Sequence, residues 1–179
     1  MKILAFAGSN SSTSINKKLV MHTASFFDDH SVEILDLNDY EMPIFSVDKI
    51  AKTGIPQLAL DFAGKIDESG LLLIALAENN ATYSTAFKNI YDWISVIPER
   101  KAFGNKPVFV LATSPGERGG ATVLELAKNT LPYYGANVIE TFSLPSFYDN
   151  FNDENGIIND SLVDELESKI KTIKTDFLI

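Results

Sequence analysis

The alternation of short apolar runs with longer amphipathic segments is the feature that most constrains how this chain folds. Five runs have the length and composition of buried strands, and they lie at Lys2–Ala7, Ser31–Leu37, Gly70–Ala77, Pro107–Ser114 and Asn137–Phe142. Three of these runs are almost continuously apolar, which is typical of a parallel sheet covered on both faces. The pattern therefore predicts a mainly parallel sheet buried between helices.

The segments between and after these runs carry apolar residues at helical spacing. Ile15, Leu19 and Phe26 share one face of the first segment, and Leu166 and Ile170 share one face of the last. Such stripes indicate helices that pack against a core. Five strand-to-helix alternations predict right-handed βαβ units and an α/β, flavodoxin-like three-layer sandwich, with a five-stranded parallel sheet of order 2-1-3-4-5 and helices on both faces. We expect one domain over residues 1–179.

Two longer stretches lack this pattern and are predicted to be irregular. They are DYEMPIFSVDKIAKTG at residues 39–54 and PSFYDNFNDENG at residues 145–156. Connections of this length in a compact domain often carry function or belong to a subunit interface. We therefore expect both stretches to lie beside a site or at an interface.

Composition excludes several classes of function. The chain has 15 basic and 24 acidic side chains, a formal net charge of -9 and no Lys/Arg cluster, so nucleic-acid binding is not expected. It has no cysteine, so a redox function needs a bound cofactor. His22 and His30 lack the neighbours of a metal site, so no metal is expected. The N-terminal apolar run is too short for a signal peptide or a membrane span, so we expect a cytoplasmic protein without membrane contact.

Three polar or glycine-rich loops are predicted to meet at one edge of the sheet. They follow the first, third and fourth strands and have the sequences GSNSSTSIN, ENNATYST and SPGERGG. Ligands of doubly wound sheets bind at the carboxyl ends of the strands, where the strand order reverses. With the order 2-1-3, this point lies between the first and third strands, so we expect the three loops to form a binding site.

The first loop is dense in hydroxyl groups. Five of its side chains carry one: Ser9, Ser11, Ser12, Thr13 and Ser14. A helix is predicted to begin near Ser14 or Ile15, and its free N–H groups and partial positive charge suit a phosphate. The spacing is neither that of a Walker A loop nor that of GxGxxG. Helix capping by Ser14 is the alternative, but one cap explains one serine rather than five hydroxyl groups.

This loop resembles the GSxRxxSxN signature of the NADPH-dependent FMN reductase family, which includes flavodoxin-like quinone, chromate and azo-dye reductases. Gly8, Ser9, Ser14 and Asn16 match the signature, whereas Ser11 stands at the arginine position. The resemblance implies that the FMN phosphate is held by five residues: Ser9, Ser11, Ser14, Ile15 and Asn16. Without the arginine, hydroxyl groups, amides and the helix end have to hold the phosphate.

The two other loops resemble further motifs of the same family. Residues 77–93 are similar to PEYNGSxPGxLKNAIDW, and residues 114–136 are similar to SPGxxGGxxAxxxLxxxLxxLGA. The resemblance implies that ten further residues bind FMN: Glu78, Asn79, Asn80, Thr82, Tyr83, Ser114, Pro115, Gly116, Gly119 and Gly120. The second motif departs from the family pattern, because two prolines and two glycines of the pattern are replaced.

Each motif also has a physical interpretation. The second loop offers amides and polar side chains to the polar edge of a flavin ring, and the glycines of the third allow backbone to approach a flat ring closely. Structural alternatives remain open, namely a turn that caps the fourth helix for SPGERGG and core packing for Trp93. Lys88 and Asp92 can form a surface ion pair. Arg118 can pair with a cofactor phosphate or be solvated.

The resemblance implies an FMN-dependent NAD(P)H oxidoreductase. Hydride would pass from NADPH or NADH to the flavin, and electrons would pass to a small-molecule acceptor, which is a quinone, azo, nitro or metal-oxyanion compound or free flavin. Flavin N5 carries this chemistry, so no catalytic side chain is predicted. The alternatives are a flavodoxin-like FMN-binding electron carrier without NAD(P)H oxidase activity, and a chain that has lost flavin and acts through protein contacts. The resemblance also implies a homodimer, with a tetramer as the alternative.

Overall fold

A five-stranded parallel sheet forms the middle layer of the computed structural model, which describes residues 1–178. The strands are β1 (Lys2–Gly8), β2 (Ser31–Leu35), β3 (Leu71–Leu76), β4 (Lys106–Thr113) and β5 (Ala136–Leu144). Their order is β2-β1-β3-β4-β5, and every neighbouring pair is parallel. The predicted fold class and strand order are therefore confirmed, and the order reverses between β1 and β3.

Helices cover both faces of this sheet. In residues 1–178 they are α1 (Ile15–Ser25), α2 (Val47–Thr53), α3 (Gln57–Glu68), α4 (Thr85–Ser95), α5 (Ala121–Thr130), α6 (Phe147–Asn150) and α7 (Asp160–Phe177). The helices α1 and α7 pack on one face, against side chains such as Ile3 and Leu71. The helices α3, α4 and α5 pack on the other, against side chains such as Leu4 and Leu72. Because both faces are covered, the central strands need apolar residues throughout.

Serine residues begin the two helices nearest to the end of β1. Ser14 Oγ accepts a hydrogen bond from Lys17 N at 3.2 Å, and Ser84 Oγ accepts one from Phe87 N at 3.2 Å. The Ser84 hydroxyl also donates to the Gly8 carbonyl at 2.7 Å. A Cβ at Gly8 would lie 3.3 Å from the Phe87 side chain. Glycine at this position therefore lets α4 pack directly over the end of β1.

The two stretches predicted to be irregular contain regular structure, so that prediction was wrong. Residues 39–54 contain α2 and the end of a 3₁₀ helix at Leu37–Tyr40, and residues 145–156 contain α6 and a hairpin between residues 151 and 157. None of the residues of α2 is buried, so no apolar stripe marks this helix in the sequence. Its ends are defined locally, by the N-cap Ser46 and by Gly54 at φ +75°.

Other local predictions can be compared directly with the structure. The second strand ends at Leu35 rather than Leu37, because Asp36 accepts a hydrogen bond from Asn38 N at 2.9 Å and begins the 3₁₀ helix. Trp93 is a core residue, and Lys88 Nζ pairs with Asp92 at 2.6 Å, as predicted. Within residues 1–178, no helix is both long enough and apolar enough to span a bilayer.

Candidate functional site

Three loops meet at the carboxyl edge of the sheet, and direct hydrogen bonds connect them. The Asn16 amide at the start of α1 makes two bonds to the backbone of Thr113 at the end of β4, with lengths of 3.0 and 3.1 Å. Glu78 Oε2, which follows β3, accepts a hydrogen bond from Val123 N in α5 at 2.9 Å. The loops after β1, β3 and β4 therefore form one connected unit, as the predicted strand order requires.

The first loop folds back on its own hydroxyl groups. Ser9 Oγ accepts from Ser11 N at 3.2 Å, and Ser11 Oγ accepts from Thr13 N at 3.3 Å. The side chains of Ser11, Ser12 and Thr13 are exposed. These short turns give the loop its curvature and leave the outer lone pairs and hydroxyl protons available to a ligand.

Several backbone N–H groups of this loop are free to bind an anion. Within residues 1–178, the N–H groups of Asn10, Ser12, Ile15 and Asn16 have no acceptor. Two of these groups belong to the first turn of α1, an eleven-residue helix. A helix N-terminus combines free donors with a partial positive charge. The residues present therefore fit a phosphate group.

Two of the predicted phosphate ligands also have structural roles. Ser14 is 8% exposed and caps α1 with its oxygen, so its hydroxyl proton is what it can offer to a ligand. Asn16 is 3% exposed, and both the oxygen and the nitrogen of its side-chain amide bond to Thr113, so the group it can offer is its backbone N–H. Sequence reasoning did not separate these roles. The phosphate contacts of Ser9, Ser11, Ser14, Ile15 and Asn16 stay predictions.

The cations next to the first loop are paired with acids. Lys17 Nζ bonds to Asp36 Oδ2, and Lys18 Nζ bonds to Asp153 at 2.7 Å. The hydrogen bond from Lys17, helped by that from the Asn38 backbone, lowers the pKa of the Asp36 carboxyl below its usual range. The loop therefore offers hydrogen-bond donors and a helix dipole rather than an unpaired positive charge. This arrangement is consistent with serine at position 11.

The second loop is a tight hairpin in which Glu78–Asn79 pairs with Thr82–Tyr83. The two turn residues, Asn80 and Ala81, have φ values of 51° and 62°, as in the type I′ turns that suit two-residue hairpins. Asn79, Asn80 and Thr82 are exposed at the edge of the sheet. Their contacts with FMN stay predictions.

Glu78 and Tyr83 of this hairpin point their side chains toward other parts of the chain. The Glu78 carboxylate closes the N-terminus of α5, where the N-cap residue Gly120 has no side chain to do so. Tyr83 is 7% exposed, and its hydroxyl bonds to Thr130 Oγ1 at 2.8 Å. A role for these two side chains in binding FMN therefore needs a rearrangement, whereas their backbone groups remain at the site.

The third loop is held by hydrogen bonds to the end of β5 and to the residues that follow it. Ser143 Oγ donates to the Gly119 carbonyl at 3.0 Å, and Ser146 N donates to the Gly116 carbonyl at 3.0 Å. The Ser114 carbonyl accepts from Phe147 N at 3.0 Å. These bonds orient the exposed tip at Pro115 and Gly116 toward solvent. No local pattern in the sequence indicates this support, because residues 143–147 lie about thirty positions away.

The three glycines of the third loop differ in whether the fold leaves room for a side chain. Gly119 and Gly120 are buried and have positive φ, and a Cβ would lie 2.8 Å from Pro145 N or 2.7 Å from Ala112 Cβ, respectively. The fold itself therefore requires glycine at both positions, whatever approaches from outside. A Cβ at Gly116 would meet only open space and Ser114 Oγ at 4.0 Å. Contacts of FMN with Ser114, Pro115, Gly116, Gly119 and Gly120 stay predictions.

A cleft of about 330 Å³ opens between the first loop, the second loop and residues 37–44. Four asparagines line it, at Asn10, Asn38, Asn79 and Asn89. Met42 and Ile90 belong to its apolar lining, and Glu41 is its charged residue. Among the residues that the structure describes, no lysine or arginine lines this cleft. The cleft is thus neutral to acidic, and the side-chain amides of Asn10 and Asn79 are its free amide donors among the described residues.

Sequence reasoning missed most residues of this cleft. Asn89 shapes it, because its amide oxygen accepts from Phe45 N at 2.8 Å and its amide nitrogen donates to the Met42 carbonyl at 3.1 Å. Trp93 Nε1 donates to the Pro43 carbonyl at 2.7 Å from the next turn of α4. The length of the stretch at 39–54 was the available signal that this segment borders a site.

Arg118 and the histidines lie apart from the cleft. Arg118 is exposed in the third loop and donates to Thr122 Oγ1, in the first turn of α5, at 2.7 Å. The His22 ring packs edge-on against Phe26 and Phe151, which explains its place in the first apolar stripe. In the described part of the chain, no three acidic or histidine side chains are grouped as metal ligands.

Comparison with known proteins agrees with this architecture. A family model described as NADPH-dependent FMN reductase matches residues 1–149. A quinone reductase of Escherichia coli (strain K12) is 27% identical over 99 residues, which are 55% of this chain and 52% of that protein. The match thus spans about half the length of this curated relative.

Two solved structures share the fold along almost the whole chain. FerB, a flavoenzyme NAD(P)H:(acceptor) oxidoreductase from Paracoccus denitrificans, has a TM-score of 0.75 and 23% identity, with 96% of this chain and 93% of that chain covered. An azoreductase from Bacillus anthracis has a TM-score of 0.64 and 18% identity, with 97% of this chain and 99% of that chain covered. At these identities, the likeness shows the fold alone.

Proposed function

This chain belongs to the NADPH-dependent FMN reductase family, and we propose that it acts as an FMN-dependent NAD(P)H oxidoreductase. The first loop would hold the FMN phosphate, and the second and third loops would flank its ring system. Bound FMN supplies the redox chemistry, which is two-electron exchange between a nicotinamide and an acceptor. The side chains and backbone of this chain bind and orient the partners.

The observation that carries this proposal is the set of four free N–H groups at the first loop and the start of α1. Two of them belong to the N-terminus of the helix that follows the first strand, where doubly wound folds bind phosphate. The Ser14 hydroxyl adds a donor at the same helix end. Asn79 and Asn80 of the second loop and Gly116 of the third are exposed, so these loops can contact a flat ring.

We infer further that the acceptor is a neutral carbonyl compound such as a quinone. The cleft beside the first loop presents the side-chain amides of Asn10 and Asn79, which can donate to carbonyl oxygens, and among the described residues it carries Glu41 but no lysine or arginine. A metal oxyanion would meet a neutral to acidic surface on a chain whose formal net charge is -9. The E. coli relative is named a quinone reductase, which agrees with this choice.

A homodimer is part of the same proposal. Ile44 and Val47, at 71% and 74% exposure, form an apolar rim beside the cleft. Burial of such residues against a second copy would cover apolar surface and narrow the entrance. Light scattering after size-exclusion chromatography measures the mass, and a monomer at all concentrations would contradict the dimer.

The test begins with the visible spectrum of the purified protein reconstituted with FMN. Addition of NADPH or NADH without oxygen is expected to bleach the flavin absorbance, and benzoquinone is expected to restore it faster than chromate does. A yellow protein that stays oxidised with both nicotinamides would favour the electron carrier. A protein that retains no FMN would favour action through protein contacts. Equal rates with benzoquinone and chromate would overturn the choice of acceptor.

A further inference from the structure

A second cavity lies between α4 and α5, on the other side of the second loop from the cleft. Its volume is about 290 Å³. The rings of Tyr83, Tyr91 and Tyr134 line it, with Leu126 as an aliphatic side chain of the lining. The Tyr91 and Tyr134 rings meet edge to face with their centroids 5.2 Å apart. This size is at the lower end of ligand pockets, about 300 Å³, and suits one small ring.

Tyr91 brings an unpartnered hydroxyl group to this cavity. The residue is 6% exposed, and its hydroxyl has no hydrogen-bond partner within residues 1–178. No fully enclosed side-chain oxygen or nitrogen in that part of the chain lacks a partner, so the Tyr91 hydroxyl opens onto the cavity. Burial raises the pKa of the Tyr91 phenol, so at neutral pH it keeps its proton and is a donor.

Three other hydroxyl groups of the lining, those of Tyr83, Ser95 and Thr130, are already engaged. Thr130 Oγ1 donates its proton to the Leu126 carbonyl at 2.8 Å, so the bond between Tyr83 and Thr130 uses the Tyr83 proton. Ser95 donates to the Asp92 carbonyl at 2.8 Å. Tyr91 therefore supplies the buried free donor of the lining, whereas Thr82 and Tyr134 carry their hydroxyl groups on exposed residues.

The charges at the cavity cancel. Lys88 Nζ makes two bonds to the Asp92 carboxylate, at 2.6 and 2.8 Å, and lies 5.8 Å from the centroid of the Tyr91 ring. A charged ligand would have to separate this pair, whereas a neutral one leaves it intact. Aromatic walls, one buried free donor and a neutral rim select a neutral ring that carries a hydrogen-bond acceptor.

We propose that the cavity between α4 and α5 is a binding site for a neutral monocyclic aromatic compound whose carbonyl oxygen accepts a hydrogen bond from Tyr91. The site lies outside the cleft, and of the residues assigned to FMN it shares Thr82 and Tyr83 of the second loop. Its donor Tyr91 is not among the residues assigned to FMN, so the proposal does not depend on the proposed flavin chemistry. Thr82 of the second loop borders the cavity, so a bound ligand is expected to change the NMR signal of the Thr82 amide as well.

Acetophenone is the probe, and amide NMR spectra of the isotope-labelled protein measure its binding. Saturable shifts are expected at the amides of Thr82, Leu126 and Thr130, with and without added FMN. Tyr91→Phe removes one oxygen atom and is expected to weaken acetophenone binding by about fivefold, the value of one neutral hydrogen bond. Tyr133→Phe, at a side chain that is 79% exposed and outside the lining, is the matched control.

Two comparison probes distinguish the contribution of the Tyr91 hydroxyl group to affinity from that of apolar contacts. Ethylbenzene lacks the carbonyl, so its affinity is expected to be the same for the wild type and Tyr91→Phe. Benzoate, which is charged, is expected to shift these amides less than acetophenone does. Equal affinity of acetophenone for the wild type and Tyr91→Phe would overturn the proposal, and so would shifts confined to Asn38 and Asn89 in the cleft.

Discussion

The first and third loops both join a strand to a helix at the same edge of the sheet, yet the two helix ends differ. At α1, Ser14 caps the helix from its own loop, and the N–H groups of Ile15 and Asn16 stay free. At α5, the carboxylate of Glu78 closes the end by accepting from Val123 N. A helix N-terminus binds an external anion where the chain has not already supplied one. The difference therefore directs a phosphate to α1.

Removal of the hydrogen bonds that join the start of α1 to the end of β4 is expected to have the largest effect on stability. Asn16→Ala leaves the buried N–H and C=O of Thr113 without partners, at a cost of about 1–3 kcal/mol for each unpaired group. We expect the free energy of unfolding, measured by urea titration, to fall by about 3 kcal/mol. Asn129→Ala, an exposed asparagine on α5 with a local bond to Glu125, is the control. A change within about 0.5 kcal/mol, typical of surface substitutions, would show that the loops are joined by other contacts.

A charge at the cap of α1 tests the open helix end. Ser14→Asp keeps the cap but places a carboxylate against a bound phosphate, so FMN affinity is expected to fall by roughly 30-fold to 150-fold, or about 2–3 kcal/mol. Fluorescence titration with FMN measures this. Ser46→Asp, at the cap of α2, adds the same charge at another N-cap and is expected to leave affinity unchanged. Unchanged FMN affinity in Ser14→Asp would contradict the assignment of the FMN phosphate to the N-terminus of α1.

The closed helix end is expected to contribute to stability. Glu78→Ala leaves Val123 N unpaired and removes a carboxylate from the helix end, so the free energy of unfolding is expected to fall by about 1–2 kcal/mol. Thermal and urea unfolding measure the change. Glu167→Ala, at an exposed position of α7, is the control. Equal stability of the two variants would mean that α5 does not depend on this carboxylate.

The ion pair beside the first loop is expected to have the smallest effect. Asp36→Asn removes the acid that holds Lys17, and FMN affinity is expected to rise by about twofold to fivefold, less at high salt. Fluorescence titration at two salt concentrations measures this. Lower affinity in this variant would show that Asp36 shapes the loop rather than competing for its cation.

The same carboxylate predicts a pH dependence of stability. Because the hydrogen bond from Lys17 lowers the pKa of Asp36 in the folded chain, its contribution is complete above the unfolded pKa of about 4. It is lost as the pH falls through the lower folded pKa. The pair is about one-third exposed, so the contribution is expected to be below about 1 kcal/mol. Asp36→Asn is expected to flatten this part of the urea-unfolding profile between pH values of about 5 and 2.

Much of the fold could be predicted because its signals are local. The run at residues 71–76 is apolar throughout and lies between two covered faces, and Pro56 directly precedes α3. The helix α2 was not predicted because none of its residues is buried, so it has no apolar stripe. The strands of the hairpin at 151–157 are too short to show the alternation typical of a strand. Asn10, Asn38 and Asn89 of the cleft were missed for another reason, since neutral amides occur everywhere on protein surfaces.

The sequence by itself determined the layered sheet, its strand order and the three loops that meet at the carboxyl edge. Only the tertiary structure decided which polar groups at that edge are free. Asn16 is bound to a residue 97 positions away, Glu78 to one 45 away and Tyr83 to one 47 away. The periodicity of strands and helices depends on residues that are close in sequence. A polar group, in contrast, bonds to whatever partner the fold brings within about 3 Å. A motif therefore locates a site, and the packing around it determines which of its atoms can bind.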